Sequence, residues 1–374
     1  MNREQDLIGA LRITPGVAVP NNLNSSRRDW AMRMGQGQDA AHLPGLMASL
    51  FNLCGQSHRL CSRMAVAAAQ GVQDTQGVAA ALQLETASEH VRRICLDWPR
   101  AAGTSEQAAT LAAQATLSLK HSPLLKTSEA TPSFWAAMRT WLEVSCLHMP
   151  AGDWLAAWCA APEAWLQSWS RQHKGWLPSL LVQARRSLAA HACLCQDLAL
   201  RPHAQVDDLC AWTKTWQDHA HFVLQPHWLG RFAHTGTWSR LNQDASHDLT
   251  PWLLMGYRVA ELIRLCLPDA RARSGQHWLS LGAANLGAGQ GVAWVEMARG
   301  LLMYQVSLDA EQRVTQLHVV APTEWNFHPQ GVVASVLAQM PPDVDASTLS
   351  WLMTAFDPCV PFEVHVSKQE APHA

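Results

Sequence analysis

Asp357-Pro358-Cys359-Val360-Pro361-Phe362-Glu363-Val364-His365 stands near one end of the chain, and Asn52-Leu53-Cys54-Gly55-Gln56-Ser57-His58-Arg59-Leu60-Cys61 near the other. Read as the start of a helix, residues 54–61 place Cys54, Ser57, His58 and Cys61 at i, i+3, i+4 and i+7, on one face. Cys54 and Cys61 then lie about 10 Å apart along the axis, too far to share one ion. Taken locally, that face is the core side of a helix carrying two buried thiols and a satisfied histidine. Asp-Pro-Cys, taken alone, is a helix end, a proline and a buried cysteine. If Cys54 and Cys359 instead touch one ligand, two positions 305 residues apart must meet in a single core.

The chain has 374 residues, enough to bury one large core or two ordinary ones. Hydrophobic residues make up 48% and charged residues only 16%, so much of the surface is uncharged or covered by a partner. Tryptophan is frequent at 18 against 2 tyrosines, which reads as core and helix packing, with an exposed docking surface as the alternative. A net charge of −2 without a basic stripe argues against nucleic acid. Met1-Asn2-Arg3-Glu4-Gln5-Asp6 lacks an apolar export segment, and no run of 18 apolar residues forms a membrane span. The ten cysteines have no disulfide-framework spacing and read as reduced thiols in a cytoplasm, most of them small core residues.

Helical periodicity dominates from about residue 40 to 270. It predicts helices over 43–69 (interrupted at Cys54-Gly55), 77–98 (ending before Pro99), 132–149, 154–169, 177–200 and 251–267, with 235–247 as a loop. Glycines cluster from Gly275 to Gly291. Leu301–Leu308 and Arg313–Val320 flank Asp309-Ala310-Glu311-Gln312 and read as a hairpin. Helices over 329–340 and 347–356 follow, the second leading into Asp357. The fold class is mainly α with a small β hairpin or sheet in the C-terminal third. The expected organisation is one domain over 1–374, with an N-terminal cysteine segment (51–65), a helical middle (76–270) and a β and C-terminal cysteine segment (290–366).

Both cysteine segments resemble the metal-binding ends of a nickel–iron hydrogenase large subunit. Glu296-Met297-Ala298-Arg299-Gly300-Leu301-Leu302 resembles that family's Glu-Ala-Pro-Arg-Gly-Ala-Leu. Pro322-Thr323-Glu324-Trp325-Asn326 resembles its Pro-(Ser/Thr)-x-Trp-Asn block, and residues 7–13 faintly resemble its N-terminal motif. The pieces occur in the family's order. The resemblance covers roughly residues 40–70 and 290–366.

In that family two Cys-x-x-Cys pairs hold nickel and an iron bearing two cyanides and one carbon monoxide. Cys54 and Cys359 occupy the first, nickel-only position of each pair. Ser57 and Phe362 occupy the bridging positions, Cys61 stands where the family has a histidine, and Ile8 stands where a proton-relaying glutamate is expected. Soft thiolates suit nickel and low-spin iron. Losing both bridges removes a stable dinuclear site, and Ile8 offers no proton path. Arg299 and Thr323, by the resemblance, are the donors to the cyanides.

This pattern resembles the HupK/HoxV family of hydrogenase expression/formation proteins. The resemblance implies a non-catalytic assembly scaffold. It would take the iron–dicyanide–carbonyl group from HypC/HypD-type maturation factors and pass it to the apo large subunit, with no nickel expected. Cys54 and Cys359 would be the metal ligands, with Cys61 or Glu363 contributing. The alternative is a chaperone that mimics the large subunit and binds maturation factors without metal. Only nine residues follow His365, so no C-terminal processing is expected.

Overall fold

Short strands at the two ends of the chain form one sheet, and that pairing sets the geometry of everything between them. The computed structural model describes residues 9–126, 129–193, 199–218, 221–241, 249–267 and 278–365. Strands β1 (Leu11–Ile13) and β2 (Leu23–Ser25) come first. Helices α1 (Trp30–Gly35), α2 (Leu43–Leu50) and α3 (Gly55–Ala69) follow, α2 and α3 being separated by a tight turn at Asn52–Cys54. The middle holds α4 (Val78–Arg92), α5 (Trp98–Ala101), α6 (Glu106–Lys120), α7 (Pro132–Leu142), α8 (Ala151–Ala160), α9 (Pro162–Gln172) and α10 (Trp176–Leu188). It continues with α11 (Val206–Lys214), α12 (Thr237–Leu241) and α13 (Pro251–Leu265). The last third adds β3 (Leu281–Gly287), β4 (Gln290–Met297), β5 (Gly300–Leu308), β6 (Val314–Val320), α14 (Pro322–Asn326), α15 (Val332–Gln339), α16 (Ala346–Phe356) and β7 (Phe362–Val364). The architecture is mainly α with small sheets, as the periodicity predicts.

β7 pairs in parallel with β1, in the register Leu11↔Phe362, Arg12↔Glu363, Ile13↔Val364, and β2 flanks β1 on its other edge. Strands of three residues leave no readable alternation, so this sheet is absent from the sequence-based reading. Within the glycine-rich stretch, residues 281–297 form a hairpin. β3 and β4 meet through Gly287, Ala288 and Gly289, all at positive φ, and with β5 and β6 make a four-stranded antiparallel sheet. α3 lies against this sheet, and Gly291 of β4 lets it approach: a Cβ there would sit 2.3 Å from Ala69 N and 2.4 Å from Ala65 O.

Several helix boundaries differ from expectation. The helix expected to stop before Pro99 runs on through a wide turn at Arg93–Asp97, where Trp98 N–H bonds Arg93 O. Pro99 then stands in the first turn of α5, where proline is tolerated. The run 154–169 is broken at Ala161-Pro162, and the helix expected over 177–200 ends at Leu188. α6 escapes periodicity because alanine and threonine blur its apolar face; Ser105 caps it, accepting from Ala108 N–H at 3.2 Å. A short helix, α12, stands inside the expected loop at 235–247. Ile8, Cys195 and the tail beyond His365 fall outside the described residues. The core reading of tryptophan holds for Trp98, Trp154, Trp158, Trp169, Trp216, Trp252, Trp325 and Trp351, all fully buried.

A buried polar network ties the helical middle to β4. Glu261 of α13 accepts two hydrogen bonds from Arg240 of α12 (2.8 and 2.7 Å), one from Trp278 (3.1 Å), and lies 2.7 Å from His90 Nε2 of α4. Against the cost of burial, Arg240 and His90 hold its carboxyl well below the usual range. Glu296 accepts from Ser280 N–H at 2.9 Å, yet burial pushes its carboxyl up to about 7.

Two outcomes follow. Gly291→Ala drives a methyl into the α3 backbone and is expected to cost about 1–3 kcal/mol in urea unfolding; an unchanged midpoint contradicts this contact. Glu296 holds its proton more tightly folded than unfolded, so its contribution to stability is full below about 4.5 and lost as pH rises through about 7. Glu296→Gln should therefore gain on the parent between pH 5 and 8, by up to about 3 kcal/mol. A pH-independent difference would contradict the assignment.

Candidate metal centre

Cys54 occupies the N-cap position of α3 and is 5% exposed. α3 has no acidic residue in its own first turn, and Glu85 of α4 caps it from outside. Glu85 accepts from Gln56 N–H (2.9 Å) and Ser57 N–H (2.8 Å) and takes a hydrogen bond from the Ser57 hydroxyl. A carboxylate at a helix N-terminus satisfies orphan donors and complements the helix dipole. The consequence is chemical: the side chain at the bridging position is already engaged.

At the other end of the chain, α16 stops at Asp357, whose φ is +55° and whose N–H bonds Met353 O at 2.7 Å. A non-glycine residue in that conformation needs outside support. Here the support is ionic. Arg93 Nε (2.8 Å), Arg258 Nη1 (2.9 Å) and Arg299 Nε (3.4 Å) surround the buried carboxylate. Although burial opposes ionisation, these guanidiniums hold the Asp357 carboxyl well below its usual range. Pro358 then turns the chain, and Cys359 follows, half-buried.

Cys54, Cys359 and Arg299 lie close enough to act on one another electrostatically. Burial pushes the Cys54 thiol well up, the Cys359 sulfur adds to this, and Arg299 works against it. Arg299 is itself buried, and Asp357, Cys359, Cys54 and Glu89 keep it charged. Its Nη2 donates to Glu89 at 3.0 Å, whereas its buried Nη1 has no acceptor. Thr323 Oγ1 lies 2.6 Å from Cys359 Sγ. Arg27 donates to Glu324 at 2.7 Å and approaches Cys359 Sγ at 4.0 Å. Thr323 thus touches Cys359, and Cys359 and Cys54 are both electrostatic neighbours of Arg299. Among the described residues no group of three His, Cys, Asp or Glu side chains stands ready to hold a metal ion.

Two of the sequence-derived candidates lie elsewhere. Cys61 is fully buried against β5, its sulfur 3.7 Å from the Leu302 carbonyl. It is two turns along α3 from Cys54, and helical rise carries it into the core. Glu363 sits on β7, its side chain 49% exposed, and pairs with Arg12 at 3.7 Å on β1 and with His365 at 3.8 Å. His58 is a satisfied core histidine: it bonds Tyr304 Oη at 2.6 Å, stacks on Phe51, and burial lowers it to about 3, leaving it neutral. Asn326 clamps the backbone of Thr235 with both amide atoms.

Arg27, Glu85, Glu89, Arg93 and Arg258 complete the site and carry no local sequence signal. Glu324 does stand in the Trp-Asn block, where its charge beside a Thr in an apolar stretch is the one available hint. Asp357→Asn removes a carboxylate shared by three guanidiniums, those of Arg258 and Arg299 being buried. The expected loss is about 3–5 kcal/mol in chemical unfolding; a variant as stable as the parent would show that the ion cluster does not hold the α16 end.

No family model matches the chain. It is 37% identical to the hydrogenase expression/formation protein HoxV of Cupriavidus necator, an alignment spanning 98% of each chain. It is 28% identical to the hydrogenase expression/formation protein HupK of Rhizobium leguminosarum bv. viciae, over 96% of this chain and 98% of that one. Among solved structures, a nickel–iron–selenium hydrogenase from Desulfovibrio vulgaris Hildenborough matches with a TM-score of 0.55, covering 92% of this chain and 93% of that one at 12% identity. That likeness concerns fold alone, and the fold is that of the nickel–iron hydrogenase large subunit. With near-complete coverage of a relative at 37% identity, the chain belongs to the HoxV/HupK family of hydrogenase expression/formation proteins.

Proposed function

We propose that this chain is a non-catalytic maturation scaffold. It transiently holds the iron–dicyanide–carbonyl group of a nickel–iron hydrogenase and passes it to the apo large subunit. Membership in an expression/formation family supports the broader role. The finer reading rests on one observation: a buried thiol and a half-buried one, from opposite ends of the chain, both interact electrostatically with buried Arg299, whose Nη1 lacks an acceptor. Cyanide bound to iron presents an anionic nitrogen, and a buried guanidinium and a hydroxyl are suitable donors to it. Thr323 supplies the hydroxyl. Two sulfurs and a cargo that brings its own diatomic ligands make a full coordination set unnecessary. Weak, two-point attachment suits a group that must leave again.

The bridging positions argue against a second metal. Ser57 is tied to Glu85 and is a poor ligand while protonated, and Phe362 has no donor atom. On this reading HypC/HypD-type factors are the donors and the apo large subunit is the acceptor. The chain works as one unit over residues 1–374, in the cytoplasm. Among the described residues no helix is long and apolar enough to cross a membrane.

Infrared spectroscopy tests the proposal. Protein purified anaerobically after co-expression with the maturation factors should show cyanide and carbonyl stretches that survive gel filtration, with iron and without stoichiometric nickel. Cys54→Ala and Cys359→Ala should each lose the surviving bands. A silent spectrum from the intact protein, with maturation factors still bound, would overturn this reading in favour of a metal-free chaperone that mimics the large subunit.

A further inference from the structure

The two halves of the site are unlike, and the difference carries an order of events. Cys359 lies in the turn between α16 and β7, half-buried, whereas Cys54 is 5% exposed at the base of α3. Arg299 is a cationic neighbour of both, and the remaining charged groups differ. Cys359 has the Thr323 hydroxyl 2.6 Å away and the Arg27 Nη1 donor at 4.0 Å. Cys54 has the carboxylates of Glu85 and Glu89 in its surroundings, with Arg299 as its cationic neighbour.

Arg27 is fixed in place. Its Nε is fixed on Glu324 Oε1 at 2.7 Å, and both side chains are largely buried. It follows the end of β2, in the same three-stranded sheet that carries β7 beyond Cys359. One sheet therefore sets both the sulfur and the guanidinium beside it.

Building on the scaffold reading, we propose that the site loads in two steps: Cys359 captures the anionic iron complex first, guided by Arg27 as a positioning residue, and Cys54 closes on it second. A guanidinium at the more open thiol attracts an anionic complex, and carboxylates at the deeper thiol disfavour it until iron is already held. Each step is a ligand exchange without change of oxidation state. The Cys359 sulfur forms its bond to iron as a ligand from the delivering protein leaves with its electron pair, and that ligand takes the thiol proton. The Cys54 sulfur then displaces a second ligand in the same way. Release to the acceptor runs in reverse, Cys54 first.

Alkylation of the full chain under argon, mapped by mass spectrometry, tests the order without iron. Cys359 should react with iodoacetate at least tenfold faster than Cys54, and the difference should vanish in urea. Guidance by Arg27 predicts that Cys359 favours anionic iodoacetate over neutral iodoacetamide, and this ratio is independent of the thiolate fraction. Arg27→Gln should lower the ratio severalfold and Arg27→Lys should restore it; a fold defect alone would alter both reagents together. After co-expression with the maturation factors, Cys54→Ala should show weak cyanide and carbonyl bands before gel filtration and none after, and Cys359→Ala none at either stage. Equal or faster reaction at Cys54, or an unchanged ratio in Arg27→Gln, overturns the order. A silent infrared spectrum of the intact protein overturns the scaffold reading instead, and the alkylation result separates the two failures.

Discussion

The buried carboxylate of Asp357 is the point on which the rest of the structure depends. It ends α16 in a left-handed conformation and gathers Arg93, Arg258 and Arg299 from three other elements. Burying this many charges is costly, and the attraction between them offsets the cost only when the geometry is kept. The cluster is therefore better understood as a device that fixes positions than as a source of net stability. Its effect is to fix Arg299, an electrostatic neighbour of both thiols, while holding Cys359 two residues away.

Around that fixed point, the large-subunit fold keeps some of its chemistry and closes the rest. The helix that starts at Cys54 is capped by Glu85, and the cap engages the serine that stands in a bridging position. The strand that follows Cys359 pairs with β1, which puts Phe362 against the core. Both bridging positions are thus absorbed into ordinary structural work, a cap and a packed side chain. Two thiols, a hydroxyl and two guanidiniums remain, a set suited on the proposed reading to an anionic iron complex held for a time.

Legibility in the sequence followed sequence locality. Cys54, Cys359, Arg299 and Thr323 each stood in a motif of several residues, and the fold places them together. Cys61 stands where the large-subunit family has a histidine and Glu363 follows a lost bridging position, yet the fold sets both apart from Cys54 and Cys359. Two helical turns separate Cys61 from Cys54, and strand alternation turns Glu363 away from the face that Phe362 occupies. Arg27 was invisible because its role exists only once β1, β2 and β7 are paired.

By itself the sequence determined the helical character, the tryptophan-rich core and the motifs that resemble the two ends of a large subunit, since periodicity and short motifs are local properties. Only the tertiary structure decided that β1 pairs with β7, that a glycine-rich stretch is a hairpin under α3, and that Arg27, Glu89, Arg93 and Arg258 belong to the site. Those facts depend on contacts between residues up to hundreds of positions apart, and three-residue strands or single arginines leave no periodic trace from which such contacts can be read.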